Sequence, residues 1–301
     1  MILLMRAGSW SLLLAVGGGA CAADVAAAAT AAWTATTWHD APAWSAQLGS
    51  ATAIVSPGTG RLVWFGPTGG DNLLYLPPGG SLNVGGAQLH GGHQGWLGPQ
   101  ARWNWPPPAG WEAGAESTTV DGATITLQLP TNEHAPRIER IYRVTPDGLA
   151  CSLRWRDPQA WSAMHVLQVP RTVQIAPLTV VPSPEVPAGV IFAVELSKDV
   201  LPEACVLDGL VLTLKPSKKA AKIFLPAQPL RATIGGQELT IDAATTHGMP
   251  AGAVAHELPT QVFLSQAGQP YLELEQCSTL LLPDTDGVAA VEFTMRITPL
   301  R

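Results

Sequence analysis

Glycine and proline recur along the whole chain and restrict what it can fold into. The 301 residues include 30 glycines and 27 prolines. Both residue types disfavour helix interiors, and between short runs of β-branched and apolar residues they are typical of turns. We find no internal repeat and no sustained hydrophobic period of 3.6 residues. The sequence therefore predicts an all-β protein built from short strands.

Candidate strands follow one another from residue 45 to the C-terminus. Residues 51–55 and 60–65 flank a hairpin-like connection, and residues 124–129 alternate polar and apolar side chains. Turn signals at such intervals are typical of a sandwich or a barrel. A single layered domain over residues 45–301, with mostly antiparallel strands, fits this length better than an array of immunoglobulin-type domains.

The N-terminus has the features of an export signal. Arg6 precedes an apolar run over residues 10–16, and small residues follow up to Ala22. The run is shorter than the roughly 20 residues that span a bilayer, so no integral membrane span is expected. We predict a signal peptide at 1–22, a flexible Ala/Thr-rich leader at 23–44, and a periplasmic or secreted location in a bacterium. Lipidation at Cys21 is the alternative to cleavage.

Composition excludes several classes of function. Charged residues make up 13% of the chain and the net charge is −6, which argues against a nucleic-acid partner. No phosphate loop, dinucleotide fingerprint or G-x-S-x-G elbow is present, so no cofactor is expected. Cys151, Cys205 and Cys277 form no C-x-x-C pair. Buried inert thiols are the preferred interpretation, and a disulfide remains the alternative.

Residues 85–112 interrupt the strand pattern and carry an unusual set of side chains. Four of the eleven tryptophans lie there, together with two histidines and an arginine; the set is His90, His93, Trp96, Arg102, Trp103, Trp105 and Trp111. Long irregular loops in compact domains are often functional. Indole faces suit the C–H surfaces of sugars, while imidazole and guanidinium groups bind hydroxyls. The alternative is that the tryptophans cap the end of the core.

Here the sequence resembles a known family. Residues 56–62 and 71–75 look like the opening hairpin of aldose 1-epimerase (galactose mutarotase) proteins, and Leu89-His90-Gly91-Gly92 looks like their L-H-G-G element. The string G-G-H-x-x-W-x-x-P-Q with W-P-P-P resembles an uncharacterised bacterial branch of that superfamily. The resemblance implies the β-supersandwich fold of the galactose mutarotase class over most of residues 48–300. It does not by itself imply epimerase activity, because function depends on the site.

The resemblance also implies site residues. Mutarotation needs an acid and a base at one sugar ring, and the family uses a histidine and a late glutamate. His165 corresponds approximately to the acid, and Glu273 or Glu275 to the base. His90 matches the L-H-G-G histidine, and His93 of the G-G-H string is an equal candidate. The remaining candidate sugar-binding residues are Arg61, Arg102, Trp96, Trp103 and Trp105.

His90 and His93 also have a spacing at which two imidazoles could bind a metal ion. On a strand or loop this spacing does not set the geometry as it would on a helix, and thiolate partners are lacking, so no metal is expected.

Three functions remain open from the sequence. The first is an aldose-1-epimerase-like enzyme, which requires a histidine and a glutamate at one sugar ring. The second is a non-catalytic envelope protein that binds a polysaccharide or an oligosaccharide. The third is a structural envelope module that binds another protein and packs its tryptophans inward.

Overall fold

In a computed structural model of the chain, the regular structure is almost entirely β-strand, as the glycine and proline pattern predicts. The residues that the structure describes are 32–170, 174–177, 192–195, 205–208, 211–214, 220–225, 229–250, 259–265 and 269–300. The predicted signal peptide, including Cys21, lies outside these residues. Cys205 is described in its backbone only. None of the helices in the described ranges is long and apolar enough to cross a membrane.

The strands of the described residues are numbered in chain order. The first half contains β1 (Thr34–Trp38), β2 (Ala41–Leu48), β3 (Ala51–Ser56), β4 (Arg61–Pro67), β5 (Leu82–Val84), β6 (Ala87–Leu89), β7 (His93–Gly98), β8 (Ser117–Asp121), β9 (Thr124–Gln128), β10 (Ile138–Thr145), β11 (Gly148–Trp155) and β12 (Ser162–Pro170). Short 3-10 turns at Pro57–Thr59 and Gln100–Arg102 and one helical turn, α1 (Ala109–Glu112), lie between them.

The second half continues the series. It contains β13 (Gln174–Pro177), β14 (Phe192–Glu195), β15 (Cys205–Asp208), β16 (Val211–Leu214), β17 (Ala221–Leu225), β18 (Leu230–Ile234), β19 (Gln237–Ile241), β20 (Thr245–His247), β21 (Met249–Pro250), β22 (Thr260–Leu264), β23 (Tyr271–Cys277), β24 (Leu281–Leu282) and β25 (Ala289–Pro299).

Three larger sheets and three two-stranded ones, β5-β6, β15-β16 and β21-β24, contain the described strands, and their pairings are antiparallel. The first is a meander in the order β1-β2-β3-β4. The second has the order β14-β17-β22-β23-β12-β7 and is called here the six-stranded sheet. The third has the order β13-β18-β19-β25-β11-β10-β9-β8, with β20 also paired to β25, and is called the nine-stranded sheet.

The six-stranded and nine-stranded sheets pack face to face around the core. Leu167 and Leu274 of the former share a buried cluster with Cys151 and Phe293 of the latter. The packing is so close at β7 that a Cβ atom on Gly95 would lie 2.3 Å from Leu153 Cδ2 of β11. A side chain at position 95 would therefore push the sheets apart.

Two sequence predictions about organisation need correction. The predicted leader at 23–44 is wrong in its second half, because β1 and β2 are paired strands and Trp33 is buried. Trp33 donates its indole N–H to the carbonyl of Ala123 at 3.0 Å, so it is anchored to the nine-stranded sheet region. Residues 85–112 are not a structureless insertion either: β7, an edge strand of the six-stranded sheet, lies within them.

Candidate ligand site on the outer face of the six-stranded sheet

Strand register decides which polar side chains share a face of the six-stranded sheet. Directly paired residues project to the same side, and successive residues project to opposite sides. Gln94 pairs with Val166, which pairs with Glu275, and Gln168 pairs with Glu273. These four polar residues therefore share one face. We call it the outer face, defined by Gln94, Trp96, Gln168, Glu273 and Glu275, because the opposite face packs against the nine-stranded sheet.

The outer face is polar and yet deeply buried. Gln94 and Gln168 are completely buried, and Glu273 and Glu275 retain 7% and 2% of their exposure. Gln168 Nε2 donates to Glu273 Oε1 at 2.9 Å. Lys222 of β17 places its Nζ 2.9 Å from Glu275 Oε2. Each carboxylate thus has its own polar neighbour, an amide for one and an ammonium for the other.

Burial and the neighbouring charges set the protonation of the carboxyl groups. Burial raises the pKa of Glu273 to about 8, and the nearby negative charge of Glu275 contributes in the same direction. Gln168 and Lys222 lower this pKa but do not offset the increase. Glu275 is stabilised as an anion by its ion pair with Lys222. Near neutral pH the carboxyl group of Glu273 is therefore largely protonated, beside the ion pair of Glu275 with Lys222.

The side-chain amide of Gln94 lacks hydrogen-bond partners within the described part of the chain. Among the residues that the structure describes, neither its Nε2 nor its Oε1 has a hydrogen-bond partner, and Gln168 Oε1 also lacks one. A buried polar group without a partner costs about 1–3 kcal/mol, so native proteins rarely tolerate one without a bound water or ligand. The unsatisfied atoms thus mark a position where a polar ligand would be stabilised.

Arg61 supports the outer face from beneath and does not line it. Its guanidinium is fully buried and binds Glu112 Oε2 at 3.0 Å and the carbonyl of Thr59 at 2.9 Å. The other carboxylate oxygen of Glu112 accepts the indole N–H of Trp96 at 2.7 Å. The prediction that Arg61 binds a sugar hydroxyl is wrong for this geometry, because its donors are used within the protein.

His93 and His165 lie on the opposite face, which we call the inner face, and both are fully buried. His93 pairs with Leu167 and His165 with Gly95, so the alternation that directs Gln94 outward directs both imidazoles into the core. Their rings stack at 5.3 Å, and the ring of Phe293 lies 4.6 Å from that of His165. The predicted convergence of an imidazole with Glu273 or Glu275 on one sugar ring is therefore wrong for His93 and His165.

The inner-face imidazoles belong to a hydrogen-bonded chain whose direction is determined by its ends. His165 Nε2–H donates to the carbonyl of Val291 at 2.9 Å, which leaves His165 Nδ1 to accept from His93 Nε2–H at 3.1 Å. His93 Nδ1 then accepts from the hydroxyl of Tyr142 at 3.0 Å. Tyr142 in turn accepts the backbone N–H of Leu62 at 3.0 Å.

This chain satisfies both imidazoles in their neutral forms, and a second proton on His165 would face the N–H of His93. Burial lowers the pKa of His165 to about 3, and Arg140 contributes to the decrease. Burial and the neighbouring His165 lower the pKa of His93 well below its usual value. The two histidines thus use their ring nitrogens within the protein.

The remaining predicted site residues are divided between packing and surface positions. Trp96 is buried, and its ring contacts those of Trp103 and Trp105 edge-to-face at 6.3 and 6.0 Å. Trp105 is 38% exposed. The guanidinium of Arg102 lies 4.7 Å from the ring centre of Trp161, where it lines a shallow pocket with Glu133 and His134 and not the outer face. Most of these indoles pack against one another.

His90 occupies a separate, half-buried position between two cavities. Its Nδ1 lies 2.8 Å from the carbonyl of Gly80, which requires an N–H at that nitrogen and leaves Nε2 as an acceptor in the neutral ring. Among the described residues, no group of three His, Cys, Asp or Glu side chains is placed to hold a metal ion.

Sequence reasoning missed Gln94, Gln168, Lys222 and Glu112. The signal for Gln94 was present in the sequence, since a strand containing His93 and Trp96 must project Gln94 and Trp96 to the same side. Glu112 lies at the end of the segment 85–112 but had no pattern that marked it, and Lys222 lies on β17, an element distant in sequence from β7 and β12.

Comparison with known proteins supports the fold. The sequence matches no protein-family profile and no curated protein. A galactose mutarotase-like protein from Lactobacillus casei ATCC 334 superimposes with a TM-score of 0.57 at 7% identity, covering 85% of this chain and all of that one (100%). A candidate mutarotase from Salmonella typhimurium gives 0.53 at 12% identity, covering 90% and 94%. A candidate aldose 1-epimerase from Escherichia coli K12 gives 0.52 at 13%, covering 86% and 99%.

These similarities define the class of fold. The chain is an all-β protein with the galactose mutarotase-like sandwich, as its motifs predicted. At such low identity the comparisons bear on the fold alone, so the function has to be argued from the residues of this chain.

Proposed function

We propose that this protein binds a carbohydrate on the outer face of the six-stranded sheet. The observation that carries the proposal is the row of buried amides and carboxyl groups there, in which both amide atoms of Gln94 lack a partner within the described residues. Sugar hydroxyls donate and accept hydrogen bonds. An array of an amide, a neutral carboxyl and a carboxylate offers acceptors for the hydroxyl protons and donors for the hydroxyl oxygens. The mutarotase-like fold of the chain is compatible with a sugar ligand.

Calorimetric titration with glucose, galactose and other neutral sugars tests the proposal. We expect Glu273→Gln and Gln94→Leu to weaken binding about tenfold or more, because each removes hydrogen bonds that are desolvated in the complex. Glu238→Gln is the matched control: Glu238 lies on the nine-stranded sheet beside Arg231 and should leave binding unchanged. Absence of heat with every sugar, in a folded wild-type protein, would exclude carbohydrate binding on this face.

A specific observation favours a second function, catalysis of anomer exchange. The outer face has a neutral carboxyl on Glu273 and an anionic one on Glu275, two positions apart on β23. Alternate residues of a strand are about 6.7 Å apart, so both groups can approach one sugar ring. A proton donor and a proton acceptor are thus available on the same side of the sheet, without a histidine.

The reaction would proceed by two proton transfers. Glu275 accepts the proton of the anomeric hydroxyl while Glu273 donates its proton to the ring oxygen, and the bond between the anomeric carbon and the ring oxygen breaks. The open chain rotates about the adjacent carbon–carbon bond. Closure reverses both transfers, so Glu273 regains its proton and Glu275 its charge.

Polarimetry of freshly dissolved α-glucose or α-galactose distinguishes catalysis of anomer exchange from binding alone. We expect anomer equilibration faster than in buffer, and a decrease of about 100-fold or more in Glu275→Gln, since general acid–base catalysis contributes about 10²–10⁴. Glu238→Gln should retain the wild-type rate. Binding with equilibration at the buffer rate would leave a non-catalytic carbohydrate-binding protein.

Export to the periplasm or beyond belongs to the same proposal and rests on residues 1–22. Mass spectrometry of the mature N-terminus tests it. A chain that begins at Ala23 supports cleavage, a diacylglyceryl group on Cys21 supports lipid anchoring, and an intact N-terminus in the cytoplasm contradicts both.

A further inference from the structure

A cavity of about 700 Å³ lies beside the four-stranded meander, away from the residues of the outer face. We call it the hairpin cavity, defined by Trp38, His39, Ser56, Leu76, Pro77 and His90. Trp38 ends β1 and Ser56 ends β3, while Leu76 and Pro77 belong to the segment after β4. Its volume falls within the range of about 300–1,000 Å³ that is typical of small-ligand sites.

The walls of the cavity carry no permanently charged side chain within the described residues. No Asp, Glu, Lys or Arg is among the described residues that line the cavity. A phosphate, a carboxylate or an ammonium group would therefore lose its hydration without gaining a countercharge, which is costly. The apolar surface comes from Trp38, Leu76 and Pro77, and the polar groups are hydroxyls and imidazoles. A ligand that fits this mixture is uncharged, with apolar faces and hydroxyl groups at its rim.

The indole of Trp38 is held in place at the wall of this cavity. Its ring contacts Trp64 edge-to-face at 5.7 Å and His39 at 4.7 Å. A preoriented aromatic ring can stack on the C–H face of a sugar without a large loss of side-chain entropy. Trp38 is only partly buried, so a face of the ring remains available to a ligand.

The two-residue turn between β1 and β2 holds the backbone of His39 in the left-handed region. His39 has φ of 49°, and the following Asp40 has φ of 62°, in the two-residue hairpin between β1 and β2. Such turns favour Asn-Gly or Asp-Gly, since both positions require the left-handed region. Histidine is among the non-glycine residues that adopt this region most readily, so the turn accommodates it. The turn holds the imidazole against the indole of Trp38.

His90 provides a hydrogen-bond acceptor at another part of the wall. Because its Nδ1–H donates to the carbonyl of Gly80 at 2.8 Å, Nε2 of the neutral ring carries a lone pair. The ring is half-buried and lines the cavity. A ligand hydroxyl could donate to Nε2 while its ring rests on Trp38.

We propose that the hairpin cavity is a second binding site, which takes an uncharged saccharide unit stacked on Trp38 and bonded to His39 and His90. This inference goes beyond the proposed function, because none of the residues that define the outer face lines the cavity. It assigns the protein two carbohydrate sites, one lined by carboxyl groups and one lined by neutral side chains.

Titration of the full protein with neutral oligosaccharides, followed by tryptophan fluorescence and calorimetry, tests this site. The probes are maltose, maltohexaose and cellohexaose, with a polygalacturonate oligomer as the charged counterpart. We expect Trp38→Ala to weaken neutral oligosaccharide binding about tenfold or more, as is usual for an aromatic anchor in a binding site. The uronate oligomer should not compete.

A second variant keeps the test valid if Trp38→Ala does not fold. His39→Asn removes the imidazole but retains a residue that tolerates the left-handed conformation, and we expect it to weaken binding about threefold to tenfold. His134→Asn is the matched control, since that side chain is 93% exposed and lies outside the cavity.

The two proposals fail separately. Loss of binding in Trp38→Ala or His39→Asn with retention in Glu273→Gln supports the hairpin cavity. The reverse pattern supports the outer face and overturns this inference. Wild-type affinity in folded Trp38→Ala and His39→Asn, preferential binding of the uronate, or binding of only hydrophobic dyes or proline-rich peptides also overturns it.

Discussion

The inner and outer faces of the six-stranded sheet are both rich in buried polar groups, but they use them differently. On the inner face Tyr142, His93 and His165 form a chain in which every ring nitrogen and the hydroxyl has a partner. On the outer face the amide of Gln94 has no hydrogen-bond partner within the described residues, and the ammonium of Lys222 pairs with Glu275. A complete hydrogen-bond network stabilises a core, whereas an incomplete one provides a place for a ligand.

The largest expected difference between the faces is in pH dependence. The folded pKa of His165 is about 3 and that of His93 is also low, against 6.5 in the unfolded chain. Below pH 6.5 the unfolded state therefore binds more protons, and stability decreases as the pH falls. Glu273 has a folded pKa of about 8 against 4.5 unfolded, so its contribution is lost as the pH rises from 4.5 to 8.

These opposite signs predict a stability maximum near pH 6.5. Each group changes the free energy of unfolding by about 1.4 kcal/mol per pH unit within its window. Urea unfolding from pH 4 to 8 measures the curve. Glu273→Gln should flatten the alkaline side and steepen the curve between pH 4.5 and 6.5, whereas His165→Leu should reduce the slope of the acid side. An unchanged alkaline side in Glu273→Gln would show that this carboxyl is ionised at neutral pH.

A smaller effect is expected for His165→Leu at constant pH. The substitution leaves the N–H of His93 and the carbonyl of Val291 buried without partners, which should lower the free energy of unfolding by about 2–4 kcal/mol. Urea unfolding at pH 7 provides the measurement, with the exposed His134→Leu as a control near zero. A loss below about 1 kcal/mol would mean that the chain is not intact in solution.

The smallest effect is expected for Gln94→Leu. Because its amide has no partner among the described residues, an apolar replacement should change the free energy of unfolding by about 1 kcal/mol or less, and in the stabilising direction. Unfolding of the ligand-free protein checks this. Strong destabilisation would indicate that the amide is already satisfied, and would weaken the assignment of the outer face as a site.

Much of the fold could be predicted from the sequence, and less of the candidate site. The strand at residues 124–129 follows from the alternation of its side chains, and it corresponds to β9. The leader was misjudged because its alanines and threonines resemble a linker in composition, although β1 and β2 pair with their neighbours. Composition does not reveal such long-range pairing.

The candidate site shows the same limit at the level of single residues. Local alternation on β23 placed Glu273 and Glu275 on one face, as the structure has them. It could not show that the imidazoles of His93 and His165 point the other way relative to them, since that depends on the register of β7 and β12 against β23.

The sequence by itself determined the strand content and the turns, because these depend on propensity and on periodicity along a few residues, and its resemblance to the mutarotase class indicated the fold. Only the tertiary structure decided which polar groups meet. Pairing between distant strands assigns each side chain to a face, and a shift of one residue reverses the assignment. For this protein the register places two histidines in the core and an amide and two carboxyl groups on the opposite face of the sheet.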